Sequence, residues 1–233
     1  MIRLLVAVCM LAIAVSQAGA DQFWYTYEGN DYPEIEGPWI RYTRAGGAQR
    51  SLQDGSLILD SLADWHIVDE YYITTPLVLD PGESLEVDWR LRVDQSPDNP
   101  DAWVVVRAGT DGAVVLNYLD DGIWSGFEGV WIDFAPGVFH DYSLISYDLA
   151  TYALYIDGQL VRNGYFEGFW SSSGLTWGDG TEGATSMTSW DFARFGVVPE
   201  PPAGFVMALA GLAVLRFRKR PTWRKGDEME VVV

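Results

Sequence analysis

The sequence predicts an all-β protein: a two-sheet antiparallel sandwich of the jelly-roll type, followed by a single C-terminal transmembrane helix. Three observations predict it. Gly, Asp, Asn and Pro punctuate residues 21–198 every eight to twelve positions, and the runs between them alternate apolar with polar residues. No ten-residue helical period interrupts that pattern, and an uncharged apolar stretch lies near each end of the chain.

The N-terminal stretch reads as an export signal. Arg3 is a one-charge leader, Leu4 to Val15 is a twelve-residue apolar run, and Ala18-Gly19-Ala20 places small residues where a signal peptidase reads. Twelve residues span a bilayer poorly, so residues 1–20 are expected to be removed before Asp21 rather than kept as an anchor. Cys9, the sole cysteine, lies inside this signal. From residue 21 onward there is no thiol, disulfide or cysteine metal site, and stability must come from a packed core.

Residues 21–198 are long enough for one domain with a sizeable core. Their charge restricts what they can bind. The chain has a formal net charge of −18, and between 21 and 198 eight arginines and no lysine stand against twenty-nine carboxylates. Such a surface repels nucleic acid and anionic lipid headgroups, so no nucleic-acid partner is expected. Neutral glycans or calcium-rich surroundings suit it.

The strands follow in order. Leu85, Val87, Trp89, Leu91 and Val93 alternate with Glu86, Asp88, Arg90 and Arg92, which predicts a strand with one buried face. Trp103 to Arg107 and Ala113 to Tyr118 form a hairpin around Gly109 to Gly112, and Tyr142 to Tyr147 pairs with Tyr152 to Ile156. Asp157-Gly158 then sits between Tyr155-Ile156 and Leu160-Val161 as a two-residue hairpin turn of type I′, which needs positive φ at both positions.

Phe139-His140-Asp141-Tyr142-Ser143-Leu144, then Tyr152 to Val161, resembles the core of laminin-G-like, concanavalin A-like domains, where an aromatic-His strand start precedes a strand ending in Asp-Gly. Thr176-Trp177-Gly178-Asp179-Gly180 is similar to that family's later Gly-Asp-Gly turn, and Trp190 to Gly196 to its closing strand. The resemblance covers Trp39 to Val197 and implies a two-sheet jelly roll, with His140 in a structural role. This fold hosts lectins, glycanases and adhesion modules, and does not choose among them.

Catalysis is weighed at Glu86-Val87-Asp88-Trp89-Arg90. Retaining glucanases of the resembled fold carry Glu-x-Asp followed by a second Glu, and two carboxyls about 5–5.5 Å apart share the chemistry. Glu86, Asp88 and Arg90 lie on one strand face, but Arg90 or Leu91 stands where the second Glu is needed. A guanidinium cannot protonate a leaving oxygen at neutral pH and is expected to pair with Asp88 or Glu86 instead. No catalytic residue is assigned. His66 and His140 have no nucleophile motif beside them and no zinc spacing. Acidic turns could gather calcium, with Asp179 and Glu182 as the candidate ligands. No other cofactor is expected.

Aromatic residues crowd the segment after 120: Trp124, Phe127, Trp131, Tyr165, Phe166, Trp170 and Trp177 among them. Alternation sends about half of such rings into a core. Loops are expected at 122–129 and 164–174, where Trp124, Phe127 and Trp170 are the candidates for stacking on sugar rings.

The C-terminal end carries Val198-Pro199-Glu200-Pro201, an apolar segment over 202–217 and a basic cluster of Arg216, Arg218, Lys219 and Arg220. The uncharged part, 202–215, gives about 21 Å of helix against a hydrocarbon core of about 30 Å; Phe217 and a snorkelling Arg216 narrow the gap. The basic cluster places the tail, 221–233, in the cytoplasm. Pro199-Glu200-Pro201, the short apolar run and the arginine-rich end resemble the PEP-CTERM sorting signal of Gram-negative bacteria. The tail runs further past the basic cluster than is usual for such signals. The resemblance implies an exosortase as partner, the inner membrane as the precursor's station, and the cell surface or exopolysaccharide matrix as destination. The sequence thus reads as an exported, non-catalytic, carbohydrate-binding surface or matrix protein. A structural or adhesive protein-binding module is the first alternative, a divergent glycoside hydrolase the second.

Overall fold

The strand predicted from the alternation at Leu85 to Val93 is the spine of the fold. In the computed structural model, which describes residues 23–64, 66–96, 102–109, 112–168, 170–180 and 184–199, it runs from Glu83 to Gln95. In chain order the strands are β1 (Tyr25–Tyr27), β2 (Ile40–Arg44), β3 (Gln49–Gln53), β4 (Ser56–Asp60), β5 (Val68–Thr74), β6 (Glu83–Gln95), β7 (Ala102–Ala108) and β8 (Ala113–Leu119). They continue as β9 (Gly122–Ser125), β10 (Val130–Asp133), β11 (His140–Ser146), β12 (Thr151–Ile156), β13 (Gln159–Tyr165), β14 (Ser173–Asp179) and β15 (Met187–Pro199). One helical turn, Pro33–Glu36, starts on a proline, whose missing N–H has no helical partner to lose there.

Eight strands make one sheet, ordered β13-β12-β11-β6-β15-β4-β3 with β1 also on β15; seven make the other, ordered β10-β9-β8-β7-β14-β5-β2. The pairings are antiparallel, as the sandwich prediction requires. The β6 apolar residues share one core with Val104, Val106, Leu116 and Tyr118 of the other sheet, and Trp89 Nε1–H donates to Tyr118 Oη at 2.8 Å. At the centre Trp177 packs on Tyr27, Tyr71, Trp190 and Trp39, with ring centroids 4.8 to 5.7 Å apart. These stacked, tilted and edge-on contacts add to area burial in a core that has no disulfide among the described residues.

The predicted hairpins are present, and Asp157 and Gly158 have φ of 51° and 74°, as a type I′ turn demands. Glu128, between β9 and β10, ties the seven-stranded sheet to the other. Its side chain is 6% exposed and accepts from Tyr152 Oη (2.9 Å), Arg162 Nε (3.2 Å) and the Tyr165 N–H (2.9 Å).

Some expectations change. Thr176 to Asp179 belong to β14 rather than to a turn, because this segment is laddered on both sides, to β5 and β7, and buries Trp177. Residues 122–125 form a strand and not a loop, paired with β8 and β10. β15 includes Pro199, which lies opposite Glu83, so the first residue of the Pro-Glu-Pro motif is part of the sandwich. Ala18, Ala20, Glu200, Pro201, the segment 202–217, the cluster Arg216, Arg218, Lys219 and Arg220, and the tail 221–233 lie outside the described residues. Among the described residues no helix is long and apolar enough to cross a membrane.

Candidate functional site

Strand residues flanking those that fill the core point outward. On β7, Ala102, Val104, Val106 and Ala108 enter the core, which leaves Trp103, Val105 and Arg107 on the outer face. Ladder register then draws one line across all seven strands of this sheet. It runs Trp131 (β10), Trp124 (β9), Asn117 (β8), Trp103 (β7), Gly178 (β14), Glu70 (β5) and Tyr42 (β2). With strands about 4.8 Å apart, its six intervals span about 29 Å.

Hydrogen bonds hold the residues of this line, and two of them fix indole edges. Trp131 Nε1–H donates to Asp133 Oδ1 at 2.7 Å, and Asn117 Nδ2 donates to the Trp124 carbonyl at 3.2 Å. Trp103 Nε1–H reaches over β14 to Glu70 Oε2 at 3.2 Å. That reach depends on two glycines. A Cβ on Gly180 would lie 1.9 Å from the Trp103 ring, and one on Gly178, at φ 128°, would meet the Asp69 carbonyl oxygen at 2.7 Å and push β5, which carries Glu70, away.

Beside the line, Arg107 Nη2 donates to Thr176 Oγ1 at 2.7 Å, and Trp170 lies over the guanidinium, 5.9 Å from its carbon. The segment after β13 is tied down next to them, since Ala113 and Glu167 exchange backbone hydrogen bonds. Ala113 and Val105 are 1% and 2% exposed although both lie outside the hydrophobic cluster between the sheets. Phe127 rests against Gly168 of that same segment, where an added Cβ would sit 3.3 Å from its ring.

The structure therefore brings the three candidate sugar-stacking residues to one face: Trp124 in the line, Phe127 and Trp170 at the segment bordering it. Sequence reasoning missed Trp103, Glu70, Arg107, Asn117 and Tyr42. A signal was available, because Trp103 alternates out of phase with Val104 and Val106, and glycines two apart at 178 and 180 mark a close approach.

Burial raises the Glu70 carboxyl above its ordinary range, opposed by the Trp103 N–H and the Arg107 charge. Burial likewise pulls the Arg107 guanidinium down, opposed by Glu70. The middle of the face thus holds one charge of each sign in an acidic protein. Asp133, the carboxylate at the other end of the line, is five strand intervals from Glu70, about 24 Å. That is far beyond the spacing of a glycosidase acid pair.

Glu86 and Asp88 lie on the outer face of the other sheet, away from the aromatic line. The expected pairing of Arg90 with either is not found: Arg90 reaches Asp141 (3.6 Å) and Asp191 (3.4 Å) on the flanking strands. Directly opposed cross-strand side chains are closer than two residues spaced along one strand. Burial raises both Glu86 and Asp88; Ser84 Oγ donates to Glu86 at 3.0 Å, and Ser143 bonds Asp88. A carboxyl with a raised folded pKa keeps its proton in the native state after the unfolded chain has released it. The stability it contributes is whole below the ordinary carboxylate pKa of about 4 and is lost as pH rises through the raised value. Glu86→Gln, which removes a half-buried charge beside Asp88, is expected to raise the thermal midpoint at pH 7 and leave it unchanged near pH 3. Equal shifts at both pH values would contradict the assignment.

His140 is structural, as expected. Its Nδ1 meets Asp157 Oδ2 at 2.7 Å and its Nε2 meets the Ala135 carbonyl at 2.8 Å, pinning the β12–β13 turn. Asp179 ends β14, fully buried, in register with Asp69, whose carboxylate is held by Arg41. Glu182, its proposed companion for calcium, lies outside the described residues. Among the described residues no group of three or more His, Cys, Asp or Glu is placed to hold a metal.

No protein-family model and no curated protein matches the chain. Solved structures do. A carbohydrate esterase from the Shiga toxin-encoding bacteriophage phi24B superposes with a TM-score of 0.54 at 12% identity, over 77% of this chain and 99% of that one. A sialidase matches with a TM-score of 0.51 at 12% identity over 78% of this chain, which spans only 19% of the sialidase. The endo-1,3-β-glucanase (laminarinase) catalytic domain of Thermotoga petrophila RKU-1 matches over 77% of this chain and 98% of its own, at 14% identity and a TM-score of 0.46. What the first two share with this chain is the all-β fold, two antiparallel sheets packed face to face, as the sequence predicts. Likenesses at this identity speak to fold alone.

Proposed function

We propose that this chain is an exported, non-catalytic carbohydrate-binding protein of the cell surface or exopolysaccharide matrix, and that its polysaccharide site is the outer face of the seven-stranded sheet. The line from Trp131 to Tyr42 carries this reading. It offers aromatic faces on four strands, with amide, carboxyl and hydroxyl groups between and beside them. Sugars present apolar ring faces and hydroxyl edges, which such a surface matches. A neutral, extended polysaccharide fits best, because the chain's charge repels polyanions and the one Glu and one Arg of the site offset each other. The lone carboxylate at its centre supports binding over hydrolysis. The likeness in fold to a carbohydrate esterase agrees with this reading and adds only that. Retention of the full-length chain on insoluble neutral polysaccharides, undiminished by salt and tested with and without calcium, is the direct test. Capture of a surface protein with no polysaccharide retention would favour the adhesive alternative.

The address belongs to the same proposal: removal of residues 1–20 after Ala20, then recognition of Pro199-Glu200-Pro201 by an exosortase in the inner membrane of a Gram-negative bacterium. The apolar segment and the basic cluster would hold the precursor there with its tail in the cytoplasm. Glu200→Ala is expected to leave the protein in the inner-membrane fraction. Unchanged release of that variant would remove the exosortase from the scheme.

A further inference from the structure

We infer that the chain has a second sugar-binding site, on the outer face of the eight-stranded sheet, which takes a single neutral pyranose unit between two tyrosines; this rests on the reading that the chain binds neutral polysaccharide. A depression of 290 Å³ opens over the last three strands of that sheet. Its floor is one ladder line, Ile145, Ala153 and Asn163 on β11, β12 and β13. Tyr147 and Tyr165, 60% and 64% exposed, stand at its sides, and Thr151 lies opposite Tyr165 in register.

Its chemistry selects the ligand. The lining itself carries no charged side chain, and the charges that border it are carboxylates, Glu86 opposite Ile145 and Asp148 bonded to Thr151, so an anionic sugar is disfavoured and a neutral one fits. The volume stands at the small end of ligand sites, about 300 Å³, which suits one sugar ring and not a polypeptide strand. Two phenol rings supply faces for the apolar side of a pyranose. Asn163 has no side-chain hydrogen bond among the described residues, so its amide can both donate and accept. Thr151 Oγ1 donates to Asp148 at 3.0 Å, which leaves its lone pairs to accept from a sugar hydroxyl. The two sites lie on the outer faces of different sheets, and a molecule with both occupied joins two polysaccharide chains.

Calorimetric titration of the full-length chain, in a detergent without sugar headgroups, tests this with cellohexaose, laminarihexaose and mannohexaose as probes. Two sites per chain are expected for at least one of them. Tyr147→Ala with Tyr165→Ala should leave one site, weaken the other by about tenfold or more, and keep a cooperative thermal transition. Tyr147→Phe with Tyr165→Phe, which keeps both rings, should retain two. Trp103→Ala with Trp124→Ala should remove the other site. A single site abolished only by the tryptophan changes overturns the tyrosine site and leaves the face intact as the polysaccharide site. A single site abolished only by the tyrosine changes does the reverse. A second site that survives the loss of both tyrosines overturns the assignment, and binding of none of the three probes overturns both sites.

Discussion

Glu128→Ala should lower the stability of the full-length chain by about 3 kcal/mol, the cost of breaking a largely buried ion pair. At about 2–4 °C per kcal/mol for a domain of this size, the thermal midpoint falls by roughly 6–12 °C. Three hydrogen bonds from the eight-stranded sheet end on this one carboxylate. Its removal strands a tyrosine hydroxyl, a guanidinium and a backbone N–H. Exposure decides that this pair is not a surface bridge of small worth: the Glu128 side chain is 6% exposed, that of Arg162 33%. Glu128→Gln keeps one acceptor oxygen and should lose less. Gly164→Ala should act in the same direction by another route, because its Cβ would sit 2.3 Å from Glu128 Oε1 and 2.5 Å from the Tyr152 ring. A Glu128→Ala protein that melts with the parent would show that the sheets are held by the core alone.

The strand pattern was legible because burial enforces it. β6 announces itself through five apolar residues in strict alternation, and the Asp157-Gly158 turn through a backbone geometry few other pairs adopt. Glu128 was not legible. It lies in a stretch that reads as a glycine-bounded loop, and its partners are 24 to 37 residues away in sequence. The site was half legible. Aromatic crowding drew attention to Trp124, Phe127 and Trp170, but the line they border is assembled from strands distant in sequence. Glu70 and Trp103 meet only because β14, from much later in the chain, is inserted between β5 and β7. Register in a nonlocal sheet is fixed by pairing, and one strand's periodicity does not disclose its neighbour. The same blindness misplaced Arg90, whose partners were sought along its own strand while the structure supplies them from the two beside it.

Alanine substitutions along the aromatic line should weaken polysaccharide binding in a graded way that depends on the length of the sugar. Loss of one stacked ring removes about 0.5–1.5 kcal/mol beyond the contact area itself, so Trp124→Ala should weaken binding by about tenfold. Trp103→Ala should have the larger effect. Its indole also satisfies Glu70, and without that N–H the half-buried carboxyl keeps its proton to still higher pH or reorients. Tyr42 and Trp131 lie at opposite ends of a line of about 29 Å, so a short oligosaccharide seated at Trp103 cannot touch both. Tyr42→Ala and Trp131→Ala should therefore spare the binding of a trisaccharide and impair that of a long polymer. This dependence separates two arrangements that a single variant would not. A line used as one track gives end effects only with long ligands, whereas an isolated pocket at Trp103 gives none at any length. Equal losses for short and long ligands at all four positions would mean that the substitutions disturb the sheet itself, and the line would then be part of the fold rather than its binding surface.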